Sequence, residues 1–355
     1  MNLIDKLESK ERLNYEDGLA LYELDLFTLG KYAQKRRKAL YGKKAFFNIN
    51  RHINPTNICK DICKFCAFSA NRKNPNPYIM SHEEIMKTLE TSIKHNITEV
   101  HIVSAHNLDA GLQWYLGMFS KIRAKYPKLH IKALTAAEIN FLATTYNMSF
   151  KEMIDRMIAA GVDSLPGGGA EIFDEKVREY ICKGKVSSKE WLEIHKIWHS
   201  RGKKSNATML FGHVENRGHR IDHMLRLRNL QDESGGFNAF IPLVYQRDNN
   251  YLRVENFLSP IEILKTYAIS RLMLDNIPHI KAYWATSTIN LALIAQEFGA
   301  DDLDGTIEKE SIQSAAGAKS SHGMDLNTFL ELIQTSGFIP VERDSLYHEL
   351  KVYDQ

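Results

Sequence analysis

Three cysteines fall within eight residues, Cys59, Cys63 and Cys66, spaced C-x₃-C-x₂-C with Phe65 between the last two. The apolar, β-rich stretch from Phe46 to Ile53 runs straight into them. Three thiolates on a short loop at a strand end can converge on one metal centre. Soft sulfur ligands suit zinc or iron–sulfur. Ferredoxin spacings differ from this one and bring a fourth cysteine. Here the only other cysteine is Cys182, more than a hundred residues away. A cluster on three protein ligands would keep one iron open for a non-protein ligand. Zinc completed by Cys182 or His52 is the competing reading.

Such a loop needs a scaffold, and the chain supplies an alternating one. Residues 1–43 read as helices, with Asn14 as an N-cap ahead of Glu16 and Asp17. The basic run Lys35-Arg-Arg-Lys38 reads as a solvated helix face near that helix's C-terminus. From Phe46 onward eight strand-like stretches are expected: 46–53, 98–104, 129–134, 162–165, 205–211, 239–244, 279–284 and 301–304. Helical segments separate nearly all of them. Strand–helix alternation argues for parallel βα units, and eight units in about 270 residues match a closed (β/α)₈ barrel. An open doubly wound sheet is the alternative. The expected organisation is an N-terminal helical extension over 1–44, an α/β barrel over 45–310 and a helical C-terminal segment over 311–355 packed on it.

In such a barrel chemistry sits at the C-terminal ends of the strands. The polar oddities collect there: the cysteine loop, Ser104 to His106, Thr135 to Glu138, Gly167 to Gly169, Thr208 to His213, Trp284 and Asp304. Composition narrows the partners. A net charge of +3 in 355 residues gives no argument for nucleic acid. Clustered cysteines rule out a disulfide framework and point to a reducing, cytoplasmic compartment. Residues 1–30 carry charges throughout and show no signal peptide, and no apolar run approaches a membrane span.

The triplet with Phe65 resembles the signature of the radical S-adenosylmethionine (radical SAM) superfamily. Longer stretches are similar to its menaquinone-pathway group. They are Asn54-Pro-Thr-Asn-Ile-Cys59, Cys66-Ala-Phe68, Asp163-Ser-Leu-Pro-Gly-Gly-Gly-Ala-Glu-Ile172, Asn206-Ala-Thr-Met-Leu-Phe-Gly-His213, Leu230-Gln-Asp-Glu-Ser-Gly-Gly-Phe237 and Phe240-Ile-Pro242. The stretches Asn276 to Trp284, Gly299 to Gly305 and Val341 to Asp344 look most like its aminodeoxyfutalosine-forming branch. The resemblance implies a TIM-type radical SAM barrel. It implies a [4Fe–4S] cluster on Cys59, Cys63 and Cys66, with the fourth iron open to SAM, which serves as co-substrate. The implied reaction adds the 5′-deoxyadenosyl radical to 3-[(1-carboxyvinyl)oxy]benzoate. Rearrangement and decarboxylation then give 6-amino-6-deoxyfutalosine for menaquinone biosynthesis. The alternatives are the cyclic dehypoxanthine futalosine synthase of the same pathway and, more distantly, a non-enzymatic zinc or iron–sulfur protein. An electron donor such as flavodoxin or ferredoxin is implied, with no nucleic-acid or membrane partner.

Site residues follow from that frame. Phe65, Ser104, Glu138, the glycines Gly167, Gly168 and Gly169, and Asp304 are expected around SAM. Ser104-Ala105 stands where the family tends to carry Gly-Gly. The glycines would let backbone approach a ligand, with the following helix N-terminus favouring a carboxylate. His213, just past the fifth strand, is the expected catalytic residue, orienting the departing carboxylate or moving a proton. Arg51, His279 and Lys281 are expected to face the substrate carboxylates, and Tyr283 and Trp284 to stack on its ring.

Overall fold

In the computed structural model, which describes residues 2–255, 257–307, 311–319 and 323–354, the expected alternation becomes a parallel barrel. The first expected strand is broken at Ile49 into β1 (Lys44–Asn48) and β2 (Asn50–Ile53). There follow β3 (Glu99–Ile102), β4 (His130–Ala133), β5 (Ser164–Leu165), β6 (Lys204–Phe211), β7 (Phe237–Val244), β8 (His279–Ile280) and β9 (Asp302–Gly305). Strands β2 to β8 form one sheet in chain order, every pairing parallel. A single parallel bridge, Lys281 to Asp302, joins β8 to β9. Strand β9 pairs in turn with β1 through Phe46–Asp302 and Asn48–Gly305. Counting β1 and β2 as halves of one strand, eight strands close the ring.

Local sequence explains the helices. Helix His82–Ile93 opens on a capping box between Ser81 and Glu84, satisfying two of its orphan donors. Helix Pro260–Met273 takes Ser259 as its cap and Pro260 where its missing N–H costs nothing. Helix Ala136–Thr145, with its capping box from Thr135 and Glu138, is an addition to the expected elements. Its weak amphipathicity hid it: seven of its ten residues are buried, so no polar stripe marks a period.

Two expectations are corrected. The C-terminal segment is not purely helical. After helix Leu326–Thr335 it forms β10 (Ile339–Arg343) and β11 (Glu349–Val352). Strand β10 pairs parallel with β1, from Lys44–Ile339 to Phe47–Glu342, and β11 returns antiparallel. The segment is therefore part of the sheet at the barrel's lower end. The expected boundary at residue 310 lies outside the described residues. The run Lys35 to Lys38 is a solvated face only in part: Lys35 and Lys38 are exposed, but the two arginines between them pack against the protein. Arg37 is fully buried and donates to the carbonyls of Ala300, Gly42 and Lys44, while Arg36 donates to Leu272 O at 3.1 Å. These guanidiniums fasten helix Leu26–Tyr41 to the barrel base. No helix among the described residues is long and apolar enough to cross a membrane.

Candidate active site

One cavity of about 290 Å³ opens at the C-terminal ends of the strands, and Cys59, Cys63 and Cys66 all line it. The polar run before the cysteines clamps their loop and stays out of the ligand set. Buried Thr56 donates to Tyr78 O at 2.7 Å, and Asn57 donates to Asn76 O at 3.0 Å while accepting Tyr78 N–H at 2.9 Å. Asn54 donates to Val103 O at 2.9 Å, tying the loop to the end of β3. Further on, Lys64 N–H donates to Ile181 O, and Lys64 O accepts from Tyr251 and Leu252 N–H. The loop is thus held mostly through backbone groups, leaving its three thiols free to bind metal. Burial pushes the Cys63 thiol well above its ordinary value, so metal binding must displace its proton.

His106 sits beside this loop; the sequence placed it at a strand end but gave it no role in the site. Its backbone N–H points at Cys59 Sγ, 3.4 Å away, and its carbonyl accepts Lys60 N–H at 3.1 Å. Its Nδ1 lies 2.8 Å from Asp61, and its ring stacks on Phe141 with centroids 4.9 Å apart. Donor atoms of Cys59, Asp61 and His106 come within 4.8 Å of one another. Asp61 and His106 already satisfy each other, so they read as a brace for the loop. Its only advance signal was its neighbourhood, the Ser104-Ala-His106 run at a strand end.

Ser104 lines the cavity, and its N–H donates to Glu138 Oε1 at 2.7 Å. Glu138 Oε2 accepts Thr135 N–H at 2.7 Å. Glu138 itself is buried behind the lining, and that burial raises its carboxyl to about 7. It shapes the turn that Ser104 presents, and its expected direct contact with SAM is corrected to that supporting place. Phe65 is in the lining, with Lys185 Nζ 5.6 Å above its ring. Lys185 and Glu171, both in the lining, pair at 2.7 Å.

The glycine run is in the lining as expected, but for another reason. A Cβ on Gly167 would fall 2.7 Å from the Ala207 and Thr208 backbone, and Gly169 has φ +87. The next helix starts only at Glu175, so no helix N-terminus follows directly. Close strand packing and a left-handed turn require these glycines. Lys281, Tyr283 and Asp304 also line the cavity, and Lys281 Nζ donates to Asp304 at 2.6 Å.

Four expected residues lie elsewhere. His213 is walled in: its Nε2 is 3.0 Å from Leu210 O and its Nδ1 3.1 Å from Glu215, which also binds Arg220. It braces the turn after β6 and does not touch the cavity. His279 begins β8, at the opposite end from the mouth, paired with Asp301 and stacked between Tyr41 and Tyr347. Trp284 is fully buried, its Nε1 donating to Gly305 O at 2.9 Å. The seventh expected strand, 279–284, stops at Ile280, and this tryptophan starts a short helix that turns it into the core. Arg51 precedes His52 on β2; since strand side chains alternate and His52 faces the cavity, Arg51 faces away.

Comparison with known proteins agrees with this geometry. Residues 53–227 match the family model described as the radical SAM superfamily, and residues 234–355 match the CofH/MqnC C-terminal region. The chain is 39% identical to the aminodeoxyfutalosine synthase of Thermus thermophilus, over 99% of this chain and 96% of that one. It is 35% identical to the cyclic dehypoxanthine futalosine synthase of Streptomyces coelicolor, covering 99% and 89%. Among solved structures, methylornithine synthase superposes with a TM-score of 0.77 at 17% identity, over 96% of this chain and 97% of that one. That last likeness speaks for the fold. A three-thiol loop over a parallel barrel, with relatives matched end to end, places this chain in the radical SAM superfamily, in the group that carries the CofH/MqnC C-terminal region.

Proposed function

We propose that this chain joins the adenosyl group of SAM to 3-[(1-carboxyvinyl)oxy]benzoate, giving 6-amino-6-deoxyfutalosine. The observation that carries the reading is the full-length likeness, 39% to the synthase against 35% to the cyclase. The donor set fits: three thiols on one loop face one cavity. Cys59, Cys63 and Cys66 would hold the [4Fe–4S] cluster, which when bound supplies the electron that splits SAM into methionine and the 5′-deoxyadenosyl radical.

In the balanced reaction the C5′–S bond of SAM breaks and a C5′–carbon bond forms to the vinyl methylene. The aryl ring moves from the ether oxygen to the adjacent carbon, and the carboxylate is lost as carbon dioxide. Methionine, ketone and carbon dioxide are closed-shell, so the electron that opened the reaction must be returned. The chain's own residues orient and enclose. Glu138 fixes the Ser104 turn, His106 braces the Cys59 side of the loop, and Phe65 with the Lys185–Glu171 pair walls the cavity. Burying the reactants here keeps a radical from water and bystanders. The electron donor is read as a small one-electron carrier such as flavodoxin or ferredoxin; Ile62, 82% exposed, and Lys60 offer it the outer side of the cysteine loop.

Anaerobic incubation with SAM, dithionite and the enol-ether benzoate, with product mass measured, tests this. An adduct carrying adenosine is expected. Stoichiometric 5′-deoxyadenosine without adduct would turn the reading toward the cyclase.

A further inference from the structure

Below the strand ends the barrel interior is polar, where closed parallel barrels ordinarily stack branched apolar side chains. His52, His101 and Lys132 occupy directly paired positions on β2, β3 and β4, and all three line the cavity. Asn206 on β6 and Lys281 after β8 face the same space. Ser104 and Thr135 lie three residues beyond His101 and Lys132. At about 3.3 Å per residue, this layer lies roughly 10 Å below the mouth.

The floor is built to present donors. Lys132 is paired with Glu99, and Lys281 with Asp304. An ammonium has three donors, so each head keeps some for a ligand. Glu99, 1% exposed, stands behind Lys132 and does not line the cavity; Ser345 Oγ holds it from the far side at 2.6 Å. Asp302 is likewise behind the lining, held by Arg343. Of the described acids on this floor only Asp304 lines the cavity. His101 Nε2 is buried with no hydrogen-bond partner among the described residues. Burial, then His52 and Lys132, keep its ring neutral, so it can donate from Nε2 without adding charge.

We propose that this floor is a carboxylate subsite, in which Lys132, Lys281 and His101 take the ring carboxylate of the substrate. The inference rests on the proposed substrate. That molecule carries two carboxylates. One is bonded to the reacting enol-ether carbon and must travel with it to the SAM end of the cavity. The other lies across the aromatic ring and points away from the chemistry. A cavity with the cysteines at one end and ammonium heads at the other matches that polarity. The floor would set how deep the ring enters, and so where the vinyl carbon stands.

The test uses reconstituted holoenzyme with SAM, and two substrates: the enol-ether benzoate and its 3-carboxamide analogue, in which only the ring carboxylate is neutralised. Wild type should prefer the carboxylate roughly 10- to 100-fold in kcat/KM, chiefly through KM, as expected for losing charge-assisted bonds. In the Glu99→Gln/Lys132→Met double variant, which leaves no lone buried charge, that preference should fall to about threefold or less. Iron content and the change SAM makes in the reduced cluster's EPR spectrum should stay as in wild type. Equal use of the two substrates by wild type overturns the subsite while leaving the reaction intact. So does full preference in a folded double variant. If that variant does not fold, the wild-type comparison still decides. No adduct from the parent substrate overturns the reaction itself, and the subsite with it.

Discussion

At the mouth of the cavity the cysteine loop is held by neutral hydrogen bonds from Asn54, Thr56, Asn57 and backbone groups. At its floor, positions are fixed by buried ion pairs: Lys132 with Glu99, Lys281 with Asp304 and Arg343 with Asp302. The two constructions suit different tasks. A neutral bond contributes about 1 kcal/mol, so a clamp of many can flex while a cluster is assembled. Breaking one partner of a buried pair costs about 3–5 kcal/mol, so the floor holds one shape. The mouth accepts a bulky group from outside, and the floor measures the far end of a small one.

The largest effect belongs to the mouth. Cys63→Ala should reduce SAM cleavage under dithionite to background, because a cluster on two thiolates lacks a ligand that no neighbouring thiol replaces. Methionine release at the wild-type rate would break the division of labour at its first member. The same variant should keep the fold, since Cys63 is only partly buried and packs against the edge of the core.

Beside Asp61 and the Lys185–Glu171 pair, Glu138 is a further carboxyl at the mouth, buried without a cationic partner among the described residues, and it sharpens the comparison. Burial lifts it to about 7, while the unfolded chain titrates near 4.5. Between those values the folded protein keeps a proton that the unfolded chain releases. Stability should therefore fall as pH rises through that window, by up to about 3 kcal/mol. Glu138→Gln should flatten this slope, measured as wild type minus variant in unfolding free energy from pH 4.5 to 7.5. With one acceptor oxygen the amide must release the Ser104 or the Thr135 N–H, so KM for SAM should also rise several-fold. An unchanged pH slope would show that the carboxyl is not held up by its burial.

These two ends also differ in how far they could be read from sequence. The mouth was legible because its ligands are local: three cysteines within eight residues, in a loop that follows a strand. The barrel was legible from alternation, down to eight strands near their expected places. The floor was not. His52, His101 and Lys132 meet only through strand register, across gaps of 49 and 31 residues that no local pattern bridges. Lys281 was the one floor cation expected in the site. His279, two positions earlier, was expected beside it, but it lies at the other end of the barrel. Its partners Asp301 and Tyr347 come from later in the chain. His213 was expected to face the barrel mouth from just past a strand, yet Glu215 two residues on folds back against it. Strands β10 and β11 went unseen because β10 pairs with β1, almost three hundred residues away.

A smaller effect tests the floor from behind. Ser345→Ala removes the bond that holds Glu99 from the C-terminal segment. The loss should be about 1 kcal/mol, since a hydroxyl is removed while Lys132 still pairs with the carboxylate. A modest rise in KM for the benzoate substrate, with KM for SAM unchanged, would show that the C-terminal segment acts through the floor alone. Equal rises in both would erase the distinction between the two ends.

The smallest expected effect is at Cys182, the fourth cysteine. It ends helix Glu175–Cys182 and is 2% exposed, and its neighbour Ile181 accepts the Lys64 N–H of the cysteine loop at 2.8 Å. Proximity alone would make it a reserve ligand. Its place argues otherwise: Cys59, Cys63 and Cys66 all line the cavity and Cys182 does not. Its sulfur packs into the apolar core, as a free buried cysteine ordinarily does. Cys182→Ala should therefore leave iron content and SAM cleavage at wild-type levels and cost about 1 kcal/mol or less of stability, the small cavity left by one sulfur. Loss of about a quarter or more of the iron would mean that the mouth draws a ligand from the core, and the neutral clamp would no longer suffice to explain it.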